Sequence, residues 1–249
     1  VSCAFEYHLI KINGNLRHNF KISIIFCKDL SMFSNLRDFG VVPFVKAETE
    51  EDALLTAQAL VAGGLPIMEL VFRSFAHSRA IRRITKEMPD FIIGAGNILN
   101  KDQLVRAIDS SARFAFSPGT EPEMIKEASK RRIVFAPGVC TASNIQTAML
   151  SGITEFQFFP AEQSGGAEVL KAICEPFHHL GIEFFAKGGI TLENMKSYLV
   201  RKEVVAVSAP WIASPELVAA KDWAQITKNA AKAVEAVLAI RRELQDAGR

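Results

Sequence analysis

The chain has 249 residues, of which 49% are hydrophobic and 22% charged, a composition that excludes a disordered, fibrous or disulfide-stapled protein. It carries 29 Lys and Arg against 27 Asp and Glu, a net charge of +2, and the basic residues are scattered along the sequence. Neither nucleic acid nor an anionic membrane is therefore indicated as a partner. The predicted partner is a small molecule.

The cysteine pattern favours a reducing compartment. The four cysteines, Cys3, Cys27, Cys140 and Cys174, are far apart, with no C-x-x-C pair and no histidine at metal-ligand spacing. The longest apolar run near the start, Ile22 to Cys27, is too short to span a bilayer or to form the core of a signal peptide. We expect a soluble, cytoplasmic protein without disulfides or a structural zinc site.

Residues 1–31 differ from the rest of the chain, because they are rich in Asn, Lys, Ile and Phe and show no clear amphipathic period. The regular pattern opens at Met32. We expect residues 1–31 to be an N-terminal extension, either spurious or poorly ordered, with the true start at Met32. The alternative is an extra strand or helix packed on the domain that follows.

From position 40 onward, short apolar runs alternate with amphipathic stretches, which predicts strands of a parallel sheet joined by right-handed helical crossovers. Each run is rich in Val, Ile and Phe and is followed by turn residues. The eight predicted strands are Val41–Val45, Pro66–Phe72, Phe91–Gly94, Arg113–Ser117, Ile133–Ala136, Thr154–Phe159, Glu183–Lys187 and Val204–Ser208.

Helix caps support this alternation: Thr49 with Asp52, Thr120 with Glu123, Thr141 and Thr191 each stand shortly after a predicted strand. Eight strand and helix units predict a single-domain α/β protein, a (β/α)8 TIM barrel over residues 32–249. A doubly wound open sheet is the rival fold, but it normally has fewer strands, and no G-x-G-x-x-G follows the first one.

Polar side chains interrupt three predicted strands near their carboxyl ends, where barrel enzymes place their chemistry. Glu69 lies in the second strand with Arg73 at its end, Gln157 lies in the sixth, and Lys187 ends the seventh. Because strand side chains alternate, Glu69, Arg73, Gln157 and Lys187 are all predicted to point into the barrel. The alternative for each charged residue is a solvated position at the rim.

An inward acid, amine and guanidinium suit the chemistry of a 2-keto acid. The Lys187 amine would attack the ketone to form a Schiff base, Arg73 would bind the carboxylate, and Glu69 would shuttle protons. The lysine must be neutral to attack, and both desolvation and a nearby cation lower a lysine pKa. This chemistry requires no metal and no cofactor.

Gly188 and Gly189 follow the seventh strand, ahead of the helix that Thr191 is predicted to cap. Their backbone N–H groups could bind an anion beside the loop after the eighth strand, the usual phosphate position in such barrels. A tight turn needs a Gly-Gly pair just as often, so both interpretations stay open.

From about Gly40 to the last helix, the chain resembles the 2-keto-3-deoxy-6-phosphogluconate and 4-hydroxy-2-oxoglutarate aldolases, class I aldolases that form trimers of (β/α)8 barrels. The resemblance implies that Glu69 is the proton-transfer acid, Arg73 the carboxylate clamp and Phe159 a pocket-lining aromatic residue. The stretches that carry it are Ala59-Leu60-Val61-Ala62-Gly63-Gly64, Met68-Glu69 with Arg73, Gly94-Ala95-Gly96 with Leu99-Asn100, Phe116-Ser117-Pro118-Gly119, Pro137-Gly138, Glu155-Phe156, Phe158-Phe159-Pro160-Ala161-Glu162, Gly165-Gly166 and Gly188-Gly189-Ile190.

The departures from the family pattern fall on the chemistry. The family's Schiff-base lysine stands immediately before Phe-Phe-Pro, where this chain has Gln157, and Lys187 replaces a threonine before Gly-Gly. Asn97 replaces a threonine that holds the substrate carboxylate. The Gly-Gly-Ser of the strand 8 phosphate loop reads Ser208-Ala209-Pro210 before Trp211, which removes one backbone donor at Pro210.

Two of these departures can compensate each other. Neighbouring strands lie about 5 Å apart and a lysine side chain extends roughly 6 Å, so an amine on Lys187 could reach the place where one from position 157 would end. We therefore hypothesise a pyruvate-forming aldolase with Lys187 as nucleophile and Glu69 as acid. Substrate binding is assigned to Arg73, Asn97, Pro118, Gln157 and Phe159, and phosphate binding to Gly188, Gly189 and Ser208.

Two other functions remain open from the sequence. In the first, the barrel has lost its nucleophile and binds a 2-keto acid or a sugar acid without turning it over. It could also be a sugar-phosphate isomerase or epimerase with Glu69 or an aspartate as base, although few aspartates lie at inward strand ends.

Overall fold

The computed structural model describes residues 10–12, 15–17 and 32–248. The chain divides into two compact units, residues 1–30 and 31–249. In the first unit, β1 (Ile10–Ile12) pairs antiparallel with β2 (Asn15–Arg17). The predictions made for the N-terminal extension otherwise concern residues that lie outside those described.

The second unit is built on ten strand segments in two sheets with the orders β3-β12-β11-β10-β9 and β4-β5-β6-β7-β8, all paired in parallel. The two segments β3 and β4 form the first predicted strand, and β8 and β9 form the fifth, so the two sheets close into the predicted eight-stranded barrel. The segments are β3 (Val41–Val42), β4 (Phe44–Val45), β5 (Ile67–Val71), β6 (Ile92–Gly96), β7 (Phe114–Phe116), β8 (Val134–Ala136), β9 (Gly138–Val139), β10 (Glu155–Phe158), β11 (Glu183–Ala186) and β12 (Val204–Ser208).

Two prolines separate the strand segments. Pro43 stands between β3 and β4, and Pro137 stands between β8 and β9. A proline has no N–H to donate to the sheet, but its carbonyl still accepts. The carbonyl oxygens of Pro43 and Pro137 accept from the N–H groups of Glu69 at 2.9 Å and Gln157 at 2.8 Å, so the neighbouring strands stay in register at both breaks.

Helices connect successive strands, as the alternation predicts. Within the described residues, no helix has the length and apolar character needed to cross a membrane. The helices are α1 (Met32–Phe39), α2 (Glu50–Ala62), α3 (Phe75–Glu87), α4 (Lys101–Asp109), α5 (Pro122–Arg131), α6 (Ala142–Leu150), α7 (Gly166–Cys174), a 3-10 helix (Glu175–Leu180), α8 (Met195–Leu199), α9 (Pro215–Ala219) and α10 (Trp223–Asp246).

Two of the four predicted caps are confirmed and two are wrong. Thr49 and Thr141 accept from backbone N–H groups at the starts of α2 and α6. Glu121, not Thr120, caps α5, because the Thr120 hydroxyl donates to the Gly138 carbonyl at 2.9 Å and is drawn to the neighbouring strand. Thr191 caps only a turn, and the helix α8 begins later, at Met195.

Aromatic side chains fill the barrel interior and reveal which faces of the strands point inward. The rings of Phe116 on β7 and Phe185 on β11 lie 4.7 Å apart, centroid to centroid. Since β7 and β11 are not neighbours in either sheet, this contact crosses the interior. Phe33 of α1 lies edge-on to Phe116 at 6.3 Å. Side-chain alternation from Phe185 then directs Lys187 into the barrel.

Candidate active site

A buried ion pair joins the second and seventh strands of the barrel inside its carboxyl end. The Lys187 Nζ lies 2.5 Å from the Glu69 Oε1, and the two residues are 5% and 0% exposed. Lys187 follows β11, where its backbone N–H donates to the Phe158 carbonyl at 3.0 Å and continues the pairing with β10. The inward orientation predicted for both side chains is confirmed, and the solvated-rim alternative is wrong for both.

Burial shifts the two proton affinities in opposite directions. Desolvation lowers the pKa of the Lys187 ammonium, and the Glu69 carboxylate beside it opposes this shift. Desolvation likewise raises the pKa of the Glu69 carboxyl group, and Lys187 opposes that shift. Both groups are therefore closer to their neutral forms than they would be in water, which is the state a nucleophilic amine and a proton-donating acid require.

The space for this pair depends on a residue without a side chain. Gly96 is the last residue of β6 and pairs with Val71 of β5. A Cβ atom built on Gly96 would lie 1.9 Å from the Glu69 Oε1, much closer than any van der Waals contact allows. The Glu69 carboxylate thus occupies the volume that a larger residue at position 96 would fill.

An aromatic ring forms the other side of the lysine pocket. The Lys187 Nζ lies 3.7 Å from the ring centroid of Phe44, a residue of β4. The ring attracts a cation electrostatically, so it favours the ammonium form and places the amine between the first and second strands. The sequence interpretation missed Phe44, although alternation along the first strand puts it on one face with Val42.

Gln157 also points into the barrel. It is 1% exposed, and its Nε2 donates to the Ser117 carbonyl at 2.9 Å, at the end of the fourth strand. This contact crosses the interior, because β10 and β7 are not neighbours. The Gln157 Oε1 accepts no hydrogen bond from the described residues and is left available inside the barrel.

Arg73 lies beyond the regular strand from which its inward orientation was predicted, so that orientation stays a prediction. The strand β5 ends at Val71, so strand alternation does not extend to Arg73, whose side chain is exposed at the mouth of the barrel. Over the described part of the chain its guanidinium forms no hydrogen bond or ion pair. The Arg73 guanidinium is therefore free to bind an anionic group of a ligand that enters from solvent.

The remaining predicted substrate-binding residues lie around the same end of the barrel. Asn97, directly after β6, is half-buried and has a left-handed backbone with φ of 56°. Pro118, after β7, and Phe159, after β10, are also half-buried. The Pro118 carbonyl approaches β9 so closely that a Cβ on Gly138 would lie 2.1 Å from its oxygen. The strand ends thus bring these residues to one opening.

The predicted phosphate-binding residues follow the last two strands. Gly188 and Gly189 have φ of 110° and 73°, a conformation that favours glycine, so turn geometry alone accounts for the pair. Ser208, the last residue of β12, is 1% exposed, and its hydroxyl has no hydrogen-bond partner within the described residues. The indole N–H of Trp211 is buried and unpartnered in the same sense. Two donors near the end of the eighth strand are thus unsatisfied by protein.

A closed parallel barrel with a lysine and a carboxylate buried at its carboxyl end defines a (β/α)8-barrel enzyme equipped for covalent chemistry on a carbonyl compound. The model of the KDPG and KHG aldolase family matches residues 32–229. The chain belongs to this family.

Individual relatives agree with that assignment. The KHG/KDPG aldolase of Escherichia coli K12 is 40% identical over 195 residues, which cover 78% of this chain and 91% of that protein. The 2-dehydro-3-deoxy-phosphogluconate aldolase of Dickeya dadantii is also 40% identical, over 78% of this chain and 90% of its own length.

Solved structures extend the comparison to the fold. A KDPG aldolase from Legionella pneumophila, with pyruvate captured as a covalent carbinolamine intermediate, has a TM-score of 0.76 and 32% identity and covers 81% of this chain and 97% of its own. The KDPG aldolase of Zymomonas mobilis ZM4 with 3-phosphoglycerate has a TM-score of 0.73 at 32% identity, over 82% and 95% of the two chains.

Proposed function

We propose that this protein is a class I aldolase that cleaves a 2-keto-3-deoxy (phospho)sugar acid or 4-hydroxy-2-oxoglutarate to pyruvate and an aldehyde, with Lys187 as the Schiff-base nucleophile. The observation that carries the proposal is the buried contact of 2.5 Å between the Lys187 amine and the Glu69 carboxylate. Membership of the aldolase family favours turnover over the binding-only barrel and over the isomerase. The activity is assigned to residues 32–249.

The buried pair provides both groups that the first steps need. Transfer of a proton from the Lys187 ammonium to Glu69 gives a neutral amine beside a neutral acid. The amine nitrogen adds to C2 of the keto acid to give a carbinolamine, and Glu69 protonates the departing hydroxyl, so that water leaves and an iminium ion remains.

The iminium ion then accepts the electrons of the bond that breaks. Removal of the proton from the C4 hydroxyl releases the aldehyde as the C3–C4 bond cleaves, and the bonding pair forms an enamine on the lysine. Protonation at C3 and hydrolysis return pyruvate and the free amine. Glu69 lies within reach of the nitrogen and is the acid and base available for these transfers.

The assignment of Lys187 rests on the placement of two side chains on neighbouring strands. By resemblance, Gln157 stands at the position of the family's lysine, and an amide cannot form an imine. Gln157 and Lys187 both point into the barrel, and the Lys187 amine already meets the catalytic carboxylate. The unpartnered Gln157 Oε1 can accept from the hydroxyl of the carbinolamine.

Substrate recognition follows from the groups around the opening. Arg73 supplies the cation for the keto-acid carboxylate, Asn97 supplies an amide, and Pro118 and Phe159 line the pocket. For a phosphorylated substrate, the backbone of Gly188 and Gly189 and the hydroxyl of Ser208 would bind the phosphate. Of these three residues, Ser208 has a buried hydroxyl without a hydrogen-bond partner within the described residues, so it is free to bind an anionic group.

A homotrimer is part of the proposal, because the family resemblance implies it. Two large apolar side chains beside the second and third strand ends, Phe75 and Leu99, are 65% and 63% exposed. Exposed apolar groups of this size are typical of surfaces that associate with another chain.

Reductive trapping tests the nucleophile. Treating the protein with borohydride in the presence of pyruvate should reduce the imine and leave a three-carbon adduct on Lys187, located by peptide mass spectrometry. Lys187→Met should prevent the adduct, whereas Lys171→Met, which alters an exposed lysine on α7, should not. The double variant Gln157→Lys with Lys187→Thr, which restores the family arrangement, should move the adduct to position 157.

The outcomes separate the two parts of the proposal. An adduct on a different lysine of the native protein would contradict the role of Lys187 but retain a Schiff-base aldolase. Failure to trap any adduct, together with no exchange of the pyruvate methyl protons in deuterated buffer, would contradict the aldolase itself and leave a keto-acid binder.

A further inference from the structure

His77 makes an unusual set of contacts at the start of α3. The ring is 9% exposed, and its Nδ1 lies 3.0 Å from the Ser74 N–H nitrogen, 3.3 Å from the Arg73 N–H nitrogen and 2.9 Å from the Ser74 hydroxyl oxygen. Ser74 is the N-cap of α3 and His77 the third residue of the helix. Glutamate or glutamine normally fills this place in a capping box, because its side chain accepts from the cap backbone.

These contacts are made to the backbone that carries Arg73. The Phe72 N–H donates to the Gly96 carbonyl at 2.9 Å, which anchors the segment to β6 on one side. The His77 ring anchors it on the other side by accepting from Arg73 and Ser74. The backbone of Ala47, just after β4, also lies near the ring, so His77 stands between the ends of the first two barrel strands.

We propose that neutral His77 is a positioning residue that holds the Arg73 backbone so that the guanidinium is directed toward the substrate carboxylate. The inference rests on the proposed function of Arg73. Only a ring with an unprotonated Nδ1 can accept from two backbone N–H groups. A proton on Nδ1 would turn the acceptor into a donor facing two donors and would release the segment.

The environment of His77 favours the neutral ring. Burial is the main cause and lowers its pKa, and the nearby Arg73 cation acts in the same direction. The Glu48 carboxylate and the Ala47 backbone oppose the lowering of the His77 pKa. Three further cations on packed elements have partners of their own: Arg79 of α3 pairs with Glu50 of α2, Arg83 of α3 pairs with Glu51, and Arg106 of α4 lies over the ring of Phe75.

The test compares His77→Leu with His77→Gln in steady-state cleavage assays across pH. His77→Leu removes the acceptor and should raise KM for the keto acid about tenfold with a smaller change in kcat. His77→Gln restores an acceptor that does not titrate, so KM should return close to the native value at neutral pH. In the native enzyme KM should rise as the pH falls below the usual histidine range, and in His77→Gln this rise should be absent.

Two controls make the result specific. His179→Gln alters an exposed histidine and should leave the native pH profile of KM unchanged. The combination of His77→Leu with Arg73→Ala should be no worse in KM than Arg73→Ala alone, because the first change acts through the second residue.

Each outcome has one meaning. Additive effects in the double variant, or the same acid rise of KM in native protein and His77→Gln, would overturn the positioning role of His77 and leave the aldolase proposal intact. If Arg73→Ala itself leaves KM unchanged while Lys187 still forms the pyruvate adduct, the role of Arg73 is wrong, and the inference about His77 is overturned with it.

Discussion

The site has an interior part and a rim part that differ in their contact with water. Lys187, Glu69 and Gln157 are at most 5% exposed, whereas Arg73 is exposed and Asn97 half-buried. Burial penalises charge, so the interior can hold an amine and a carboxyl group near neutrality. The rim stays hydrated and can exchange water for an anionic substrate group. The barrel therefore separates the groups that transfer protons from the group that recognises charge.

Removing the interior amine should have the largest effect. Lys187→Met deletes the nucleophile and should lower kcat/KM at least about a thousandfold, because no covalent intermediate can form. Stopped assays of pyruvate release measure this, with Lys171→Met on the exposed surface of α7 as the matched control. Residual activity within tenfold of the native enzyme would mean that another group does the chemistry.

Removing the rim cation should have an intermediate effect of a different kind. Arg73→Ala should raise KM roughly ten- to hundredfold, as expected for the loss of a hydrogen bond to a charged group, and should change kcat less. Arg79→Ala, which removes an arginine paired with Glu50 on the surface, is the control. A fall in kcat with unchanged KM would place Arg73 in the chemical steps and remove the distinction between rim and interior.

The smallest effect concerns stability. Replacing both members of the buried pair by apolar residues, as in Lys187→Met with Glu69→Met, should leave the free energy of unfolding unchanged or raise it by about 1 to 4 kcal/mol, because the desolvation of two charged groups is avoided. Urea denaturation measures the difference. A large loss of stability in this double variant would show that the pair supports the fold as well as the chemistry.

The single variant Lys187→Met adds a pH signature to that experiment. Without Lys187, burial raises the Glu69 pKa unopposed, so the folded state binds its proton more tightly than the unfolded state does. The protein should then be most stable in acid and should lose stability as the pH rises above the ordinary glutamate range. Glu69→Gln added to this variant should remove the trend.

Much of the interior part could be predicted from the sequence, and the reason is geometric. Glu69, Gln157 and Lys187 lie on regular strands, where a period of two residues decides the face. The same reasoning does not extend to Arg73, because β5 ends two residues before it at Val71. Side-chain directions alternate between the two faces only while the chain is part of a strand.

The missed residues depend on tertiary contacts. The Phe44 ring lies against the Lys187 amine, which is far away in sequence. The His77 ring accepts a hydrogen bond from the Ser74 N–H, and the Ser residue alone does not predict this contact. The Thr120 cap is wrong for a similar reason, since the Gly138 carbonyl of a neighbouring strand competes for the hydroxyl. Local pattern cannot report such competition.

The absence of a side chain at Gly96 restricts which substitutions this position can accept. Its missing side chain provides the volume in which the Glu69 carboxylate meets Lys187. In a saturation library, position 96 should therefore tolerate as little change as the catalytic acid itself, although glycine has no functional group to contribute. A residue that takes no part in the reaction would then be as necessary for activity as the residues that do.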